Sequence, residues 1–273
     1  MKRYQNQEWK QSMRITMDFN NMMSEVIGQE QGIPKNSIEA LSDKLQAAAK
    51  AMVEKRTAGK MDWRDLPYNQ QKIVTDMLHT ASLIKDKFEA FVVLGIGGSA
   101  LGPIAVQQAL NHLHYNELSK EKRGGFPRLY IADNVDPERM RALFDVIDLE
   151  KTAFNVITKS GSTSETMSQF LIIRDMLKQK LGDKYKEHLF ATTDIENGNL
   201  IKIAKAEGLK TFYIPRGVGG RFSEMTPVGL LAAAVCGIDI EEMLAGAAFM
   251  DELSKKEDVY KNPAYMAAVL QYI

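Results

Sequence analysis

The sequence predicts an α/β fold, a three-layer α/β/α sandwich on a five-stranded parallel sheet, and two observations lead to this class. From Phe88 onward, short β-branched or aromatic runs alternate with longer segments whose apolar residues recur at helical spacing. This alternation is typical of parallel strands joined by right-handed helical crossovers. Glycine-rich or hydroxyl-rich turns also follow three of the predicted strands. In an open parallel sheet such turns share one edge, where ligands bind.

A helical N-terminal segment, residues 1–87, is predicted to precede the sheet. Residues 12–19 alternate weakly between apolar and polar and predict a short strand. Apolar residues spaced along one helical face then predict a helix over 37–57, and a second helix is expected over 70–87.

Residues 88–237 are predicted to form the α/β domain. Its strands are expected at 91–94, 129–132, 155–158, 189–192 and 211–214. Its helices are expected at 100–112, 137–144, 164–181, 199–207 and 227–236. Residues 238–273 read as the helical start of a truncated second domain, because the last helix reaches Ile273 without a C-cap.

Composition favours a small-molecule partner. Lys and Arg together number 35, as do Asp and Glu, so the net charge is zero, and neither nucleic acid nor a membrane surface is expected as a partner. The longest apolar stretch surrounds Cys236 and is far shorter than the roughly 20 residues of a membrane helix. A single cysteine cannot form an internal disulfide, and the N-terminus has no hydrophobic signal core. We therefore expect a cytoplasmic protein.

The turn after the third predicted strand is the first candidate site. The stretch FNVITKSGSTSET, 154–166, passes from apolar residues into a turn of hydroxyl side chains with one lysine. Ser162 and Glu165 have the spacing of a capping box, which would place helix amides behind the turn. Such amides, with hydroxyls and an ammonium, favour phosphate or another dianion. The candidate ligands are Thr158, Lys159, Ser160, Ser162, Thr163 and Ser164.

A glycine-rich turn, LGIGGSALGP at 94–103, follows the first predicted strand. Its glycines let a ligand approach the backbone, and Gly98 and Ser99 are candidate binding residues. The stretch also satisfies GxGxxG/A, with Asp133 after the next strand, so an NAD-dependent oxidoreductase is an alternative. The interval to Asp133 is longer than the roughly 20 residues of that fingerprint. A dinucleotide site also does not require the hydroxyl-rich turn.

The third turn, VGGRFS at 218–223, follows the fifth predicted strand. Gly219 and Gly220 allow a close backbone approach, and Arg221 supplies a permanent, forked cation suited to a developing oxyanion. The alternative is a surface arginine paired with Glu224.

In this order and spacing, LGIGGSALGP, ITKSGSTSET and GGRFSEMTPVGLL resemble the N-terminal half of bacterial phosphoglucose isomerases, and the similarity extends over essentially the whole chain. The resemblance implies the flavodoxin-like sugar-isomerase (SIS) fold for the α/β domain. It implies sugar-phosphate binding by the residues matching Ser99, Lys159, Ser160 and Thr163, with Thr158, Ser162 and Ser164 close by. It also implies that Arg221 stabilises the enediolate formed when a proton moves between C1 and C2.

The chain departs from the family pattern in one respect. Family members continue into a second SIS domain, which carries a glutamate base, a ring-opening histidine and a lysine that have no counterpart here. The four histidines are expected to be surface or structural residues, and no metal or cofactor is expected; they are His79, His112, His114 and His188. Glu165 is assigned to the capping box rather than to the role of base.

We therefore expect an aldose–ketose isomerase of glycolysis and gluconeogenesis that interconverts glucose 6-phosphate and fructose 6-phosphate. The full-length protein is expected to be a homodimer. This chain would supply the phosphate site and Arg221, and would be nearly inactive by itself. A non-catalytic SIS module that binds a sugar phosphate is a further alternative.

Overall fold

The computed structural model describes residues 2–13 and 16–273, which form helices α1–α13 and strands β1–β5. The strands are β1 Ala90–Leu94, β2 Arg128–Ala132, β3 Thr152–Thr158, β4 Leu189–Thr193 and β5 Lys210–Tyr213. The helices before β1 are α1 Gln7–Ser12, α2 Ser24–Ile27, α3 Lys35–Glu39, α4 Ser42–Thr57, α5 Leu66–Asn69 and α6 Gln71–Lys87. The later helices are α7 Gly98–Leu110, α8 Pro137–Val146, α9 Ser164–Leu181, α10 Asn199–Glu207, α11 Pro227–Val235, α12 Ile240–Leu253 and α13 Pro263–Tyr272.

The five strands form one parallel sheet in the order β2-β1-β3-β4-β5. This flavodoxin-like order reverses direction between β1 and β3, and ligands bind at such a switch point, beyond the carboxyl ends of the strands. Leu94, the last residue of β1, pairs with Ala132 on one side and Val156 on the other. The predicted α/β fold is therefore confirmed, and the turns after β1 and β3 are neighbours.

Residues 68–241 form one compact unit around the sheet. One face carries a core in which alternate strand residues such as Val92, Phe154 and Val156 contact apolar residues of α8, α9 and α10. On the other side α11 packs against α6, α7 and β1. The central strands β1, β3 and β4 are wholly buried because helices cover both faces, which explains their largely apolar character, whereas the edge strands β2 and β5 are partly exposed.

Residues 1–67 and 242–273 form the other compact unit. Its apolar core contains Met23, Ile38, Met266, Val269 and Leu270. The two units divide the chain differently from the predicted segments 1–87, 88–237 and 238–273, because α6 packs in the sheet unit and the two ends of the chain share a core. The predicted truncated second domain stays a prediction.

An ion-pair cluster links α4 and α12 within this second unit. The Asp251 carboxylate, only 5% exposed, accepts a hydrogen bond from Arg64 Nε at 2.7 Å. Both of its oxygens also lie 3.1 Å from Arg56 Nη1, while Arg56 Nε donates to Asp65 at 2.9 Å. Because a buried carboxylate needs opposite charges, Asp251 fixes the two guanidinium groups in place.

Two predictions for the N-terminal segment differ from the structure. The predicted helix 37–57 is two helices, because Ser42 and Asp43 start α4 with a new acidic first turn. Arg14 and Ile15 of the predicted strand 12–19 lie outside the described residues. Of the remainder, Ser12 ends α1 and residues 16–19 form no strand. Among the described helices, none is long and apolar enough to span a bilayer.

Candidate functional site

Three turns of the sheet unit lie at the carboxyl edge of the sheet: 95–97 before α7, 159–163 before α9, and 214–226 between β5 and α11. Two close contacts hold them together. Gly98 approaches the last turn so closely that a Cβ added there would lie 2.0 Å from the carbonyl oxygen of Gly220. Lys159 reaches the same loop from the other side, since its Nζ donates to the carbonyl oxygens of Arg216 at 2.7 Å and Val218 at 2.5 Å.

The last residue of β3 and the turn 159–163 bring together three hydroxyl groups, which we call the hydroxyl cluster and which belong to Thr158, Ser160 and Thr163. Thr158 Oγ1 lies 2.9 Å from Thr163 Oγ1 and 3.3 Å from Ser160 Oγ, and the last two oxygens are 3.4 Å apart. Ser160 Oγ also accepts a hydrogen bond from the backbone N–H of Ser162 at 3.2 Å. Each hydroxyl can rotate its proton toward an added acceptor, so the cluster can donate to a bound anion.

The N-terminus of α9 is open, contrary to the predicted capping box. The N-cap is Thr163, no side chain caps the helix, and the Ser162 hydroxyl turns to the carbonyl oxygen of Ser160 at 3.4 Å. Glu165 is exposed and makes no hydrogen bond with the described residues. The capping-box prediction is therefore wrong, because the Thr163 hydroxyl bonds within the hydroxyl cluster instead. The first-turn amides keep their partial positive charge available for a ligand.

A backbone contact behind the hydroxyl cluster was not predicted. Gly161, at φ +66°, packs against Gly198, where an added Cβ would lie 2.2 Å from the carbonyl oxygen of Ser160. The Gly161 carbonyl accepts from the N–H groups of Asn199 at 3.0 Å and Leu200 at 3.1 Å. The turn after β4 therefore supports the cluster. The Asn-Gly pair at 197–198 is a turn signal that could have drawn attention to it.

The turn between β1 and α7 is positioned by glycine. Gly97 adopts φ +59° and serves as N-cap of α7, so Gly98 and Ser99 are the first two helical residues. No side chain caps α7, and Ser99 is partly exposed at its start. The predicted binding residues Gly98 and Ser99 therefore lie at a helix N-terminus, beside the loop that carries Gly220.

Arg221 lies in a short 3-10 turn, 220–222, and is exposed. Its guanidinium makes no hydrogen bond or ion pair with any residue in the described part of the chain. The alternative that Arg221 pairs with Glu224 is wrong, because the carboxyl of Glu224 points between α7 and α11. Ser223, which is buried, stabilises the turn by donating to the Gly220 carbonyl oxygen at 2.7 Å. The backbone of Arg221 is thus held in place while its charge is unpaired.

The carboxyl of Glu224 is the second feature that sequence reasoning missed as a site element. Both of its oxygens are inaccessible to solvent and have no hydrogen-bond partner among the described residues. Burial raises the pKa of Glu224 to about 8. No local sequence signal indicates this burial, since the space that the carboxyl fills exists only where Gly229 of α11 meets the distant Gly102 of α7.

The histidines lie away from these turns. His79 is exposed on α6, and His112 and His114 are exposed after α7. His188 is buried before β4, where its Nδ1 lies 2.9 Å from the carbonyl oxygen of Thr152 and burial lowers its pKa. Within residues 2–13 and 16–273, no group of His, Cys, Asp and Glu is arranged to hold a metal ion.

Comparison with known proteins identifies one matching family and relatives of similar sequence. The model of the family described as phosphoglucose isomerase matches residues 69–273. A glucose-6-phosphate isomerase of Carboxydothermus hydrogenoformans is 49% identical over 96% of this chain, and one of Rubrobacter xylanophilus is 41% identical over 95%. The chain spans 56% and 57% of the length of these two relatives, respectively.

Solved structures support the same fold. A hypothetical protein of Thermus thermophilus is similar with a TM-score of 0.76 and 34% identity, over 87% of this chain and 54% of that one. A glucose-6-phosphate isomerase of Chlamydia trachomatis is similar with a TM-score of 0.70 and 21% identity, over 88% of this chain and 50% of that one. At that identity the second similarity shows the fold alone.

Proposed function

Since this chain belongs to the phosphoglucose isomerase family, we propose that its sheet unit binds a hexose 6-phosphate and that the longer protein interconverts glucose 6-phosphate and fructose 6-phosphate. This reaction would make the protein a cytoplasmic enzyme of glycolysis and gluconeogenesis. The relatives that carry the name glucose-6-phosphate isomerase support the proposal. Because the chain covers little more than half of their length, the complete reaction is proposed only for a protein of that length.

The observation that carries the proposal is that an open anion site and an arginine without a counter-charge, Arg221, lie on adjoining turns. The hydroxyl cluster lies beside the uncapped N-terminus of α9, and the loop bearing Arg221 is tied to that turn through Lys159. A helix N-terminus with free amides and hydroxyl donors suits a phosphate dianion. A guanidinium held in the adjoining loop suits a second oxyanion, which a sugar phosphate acquires during isomerisation.

The proposed binding residues contact two different parts of the substrate, its phosphate and its reacting carbons. Thr158, Ser160, Ser162, Thr163 and Ser164, together with Ser99 and the backbone at Gly98, would hold the phosphate. Arg221, with Gly220 giving the substrate room, would stabilise the enediolate oxyanion, a contribution of about 10²–10³-fold in rate. The ammonium of Lys159 donates two of its protons to loop carbonyls, so one remains for the ligand.

Proton transfer between C1 and C2 needs a general base, which contributes about 10²–10⁴-fold. Glu165 is exposed and tied to no described group that would orient it. We assign the base, the ring-opening histidine and the lysine to the part of the relatives' length that this chain does not span. The chain by itself is therefore expected to bind substrate and to isomerise it very slowly.

Removal of the Ser160 hydroxyl is expected to weaken fructose 6-phosphate binding about tenfold or more, because a hydrogen bond to a charged group contributes about 1.5–3 kcal/mol. Isothermal titration calorimetry of Ser160→Ala against fructose 6-phosphate, inorganic phosphate and fructose measures this loss. Ser168→Ala is the matched control, since that hydroxyl lies one turn along α9 and donates to the Ser164 carbonyl at 2.8 Å. Equal affinity in the wild type and Ser160→Ala would remove the cluster from the phosphate site.

Titration of the wild type with NAD, beside that with fructose 6-phosphate, separates the first alternative. An NAD-dependent oxidoreductase would bind NAD and not fructose 6-phosphate, which would overturn the isomerase proposal. A non-catalytic module would bind the sugar phosphate as proposed. It is distinguished by an isomerase assay of the protein at the length of its relatives, in which a module would show no turnover.

We further propose that the full-length protein is a homodimer and that α7 contributes to the contact. Helix α7 contains no charged residue, and its exposed surface includes Leu101 and Leu110, followed by the exposed Leu113. An uncharged helix with exposed apolar side chains favours protein association. Sedimentation equilibrium of the full-length protein measures its oligomeric state.

A further inference from the structure

The carboxyl group of Glu224 fills a notch made by two helices. A Cβ added to Gly102 of α7 would lie 1.9 Å from Glu224 Oε2, and one added to Gly229 of α11 would lie 2.1 Å from Oε1. Any other residue at these two positions would occupy the space of the carboxyl. The two glycines therefore form a fitted compartment for this side chain, although they lie more than a hundred residues apart in the chain.

No charge faces the compartment from either helix. Helix α7 has the sequence GSALGPIAVQQAL and helix α11 the sequence PVGLLAAAV, so neither carries a titratable side chain. On the turn that precedes Glu224, the titratable residue is Arg221, and its side chain is exposed to solvent. A carboxyl in such surroundings is stable in its neutral form, because ionisation would leave a buried charge without a partner.

Glu207 in the same unit shows the opposite case. Its carboxylate is hydrogen-bonded to the guanidinium of Arg174, and that contact lowers the pKa of Glu207 to about 2. Glu224 has no such partner among the described residues, and burial alone raises its pKa to about 8. At neutral pH the two carboxyls therefore differ in charge, and that of Glu224 is an uncharged group packed between helices.

The compartment is connected to the candidate site by short contacts. Ser223, the neighbour of Glu224, donates to the Gly220 carbonyl oxygen at 2.7 Å. Thr226 Oγ1 donates to the Ser223 carbonyl oxygen at 2.5 Å and accepts from the N–H of Val228 at 3.3 Å at the start of α11. We call residues 220–226 the arginine turn. Displacement of the Glu224 side chain would therefore move the backbone that carries Arg221.

We propose that Glu224 is a positioning residue whose neutral carboxyl holds the arginine turn in the notch between α7 and α11, and whose ionisation releases the turn. The proposed effect of Glu224 on the arginine turn depends only on the packing and hydrogen bonds described above. The consequence for ligand affinity, a weaker hold on the sugar phosphate when Arg221 is displaced, rests on the proposed function.

The direction of the pH dependence follows from the two environments of the Glu224 carboxyl, which is packed in the notch or exposed in the released turn. A carboxyl exposed in the released turn has its ordinary pKa near 4.5, whereas the packed carboxyl has a pKa of about 8. Between these values only the packed form binds the proton, so release is favoured increasingly as the pH rises, by up to about tenfold per pH unit. Below about 4.5 both forms are protonated and above about 8 both are ionised, so the dependence levels off at each end.

Hydrogen exchange of the arginine turn tests the proposal. In the wild type, protection factors of the 220–226 amides, corrected for the intrinsic pH dependence of exchange, are expected to fall by up to about tenfold per unit between about pH 6 and 8. Glu224→Met fills the notch with an uncharged side chain and should keep the protection constant. Glu138→Gln, on the exposed surface of α8, is the control and should behave as the wild type.

Two further variants keep the test decisive if Glu224→Met does not fold. Glu224→Gln should also remove the pH dependence, because the amide cannot ionise. Gly102→Ala should lower the protection of the turn at every pH, since its methyl group takes the place of the carboxyl. A fall in protection with pH that is equal in the wild type and in the two Glu224 variants would overturn the proposal.

Titration with fructose 6-phosphate separates this inference from the proposed function. The ratio of wild-type to Glu224→Met affinity should decline from about pH 6 to 8, and the titration of the phosphate group cancels in that ratio. Absence of sugar-phosphate binding at every pH, with the exchange result as expected, would overturn the proposed function and leave the role of Glu224 in the turn intact. Binding with an unchanged affinity ratio would overturn the effect on the ligand.

Discussion

Gly98→Ala is expected to weaken fructose 6-phosphate binding by about 10–100-fold. The new methyl group would lie 2.0 Å from the Gly220 carbonyl oxygen, so the turn before α7 and the arginine turn must separate. The backbone that carries Arg221 would then be displaced. The loss of one hydrogen bond to a charged group, about 1.5–3 kcal/mol, corresponds to this range. Calorimetric titration with fructose 6-phosphate measures the change.

Gly246→Ala, at an exposed position of α12 outside the candidate site, provides a control with the same chemical change. A Cβ at Gly246 meets no heavy atom within 4 Å, so affinity should stay within about twofold of the wild type. Thermal unfolding shows whether Gly98→Ala also loses the roughly 1–3 kcal/mol typical of an overpacked site. Full affinity in Gly98→Ala would show that the contact between the two turns does not position Arg221.

Asp251→Asn is expected to lower the free energy of unfolding of the second unit by about 3 kcal/mol. The change leaves the guanidinium of Arg64 and one side of Arg56 without their counter-charge in a poorly solvated position. Both tryptophans, Trp9 and Trp63, belong to this unit. Urea unfolding followed by tryptophan fluorescence therefore reports on the affected unit.

Lys255→Met is the control for Asp251, because Lys255 contacts the same carboxylate at 3.1 Å from a side chain that is 42% exposed. An exposed ion pair contributes about 0–1 kcal/mol, so its removal should change stability little. If Asp251→Asn is no more destabilising than Lys255→Met, solvent compensates the two arginines and the cluster does not hold α4 to α12.

Local patterns were sufficient for most of the sheet unit. The five strands were placed to within a few residues because each is a short apolar run bounded by turn residues. Helices α9 and α10 were predicted with the bounds that the structure gives. The N-terminal segment was less predictable. Apolar residues continue at helical spacing from α3 into α4, so the new helix start at Ser42 is not visible in that pattern. The core of this segment also includes residues of α13, which sequence order separates by more than two hundred residues.

The candidate site was predictable as a set of turns and not as an arrangement of contacts. Hydroxyl-rich and glycine-rich turns after parallel strands identified the edge of the sheet. The capping box between Ser162 and Glu165 and the pairing of Arg221 with Glu224 were both inferred from sequence proximity, and both are wrong. Proximity along the chain does not decide which groups meet, because side-chain directions depend on how the turns and helices pack.

The sequence by itself determined the class of the fold, the order of its strands and helices along the chain, and the residue types that can bind a phosphate. These properties depend on periodicity and on turn chemistry, which are local. Only the tertiary structure decided that β1 and β3 are neighbours, that Lys159 ties two loops together and that Glu224 is enclosed by Gly102 and Gly229. Such contacts join residues far apart in the chain, and their energies depend on burial, which exists only once the helices have packed on the sheet.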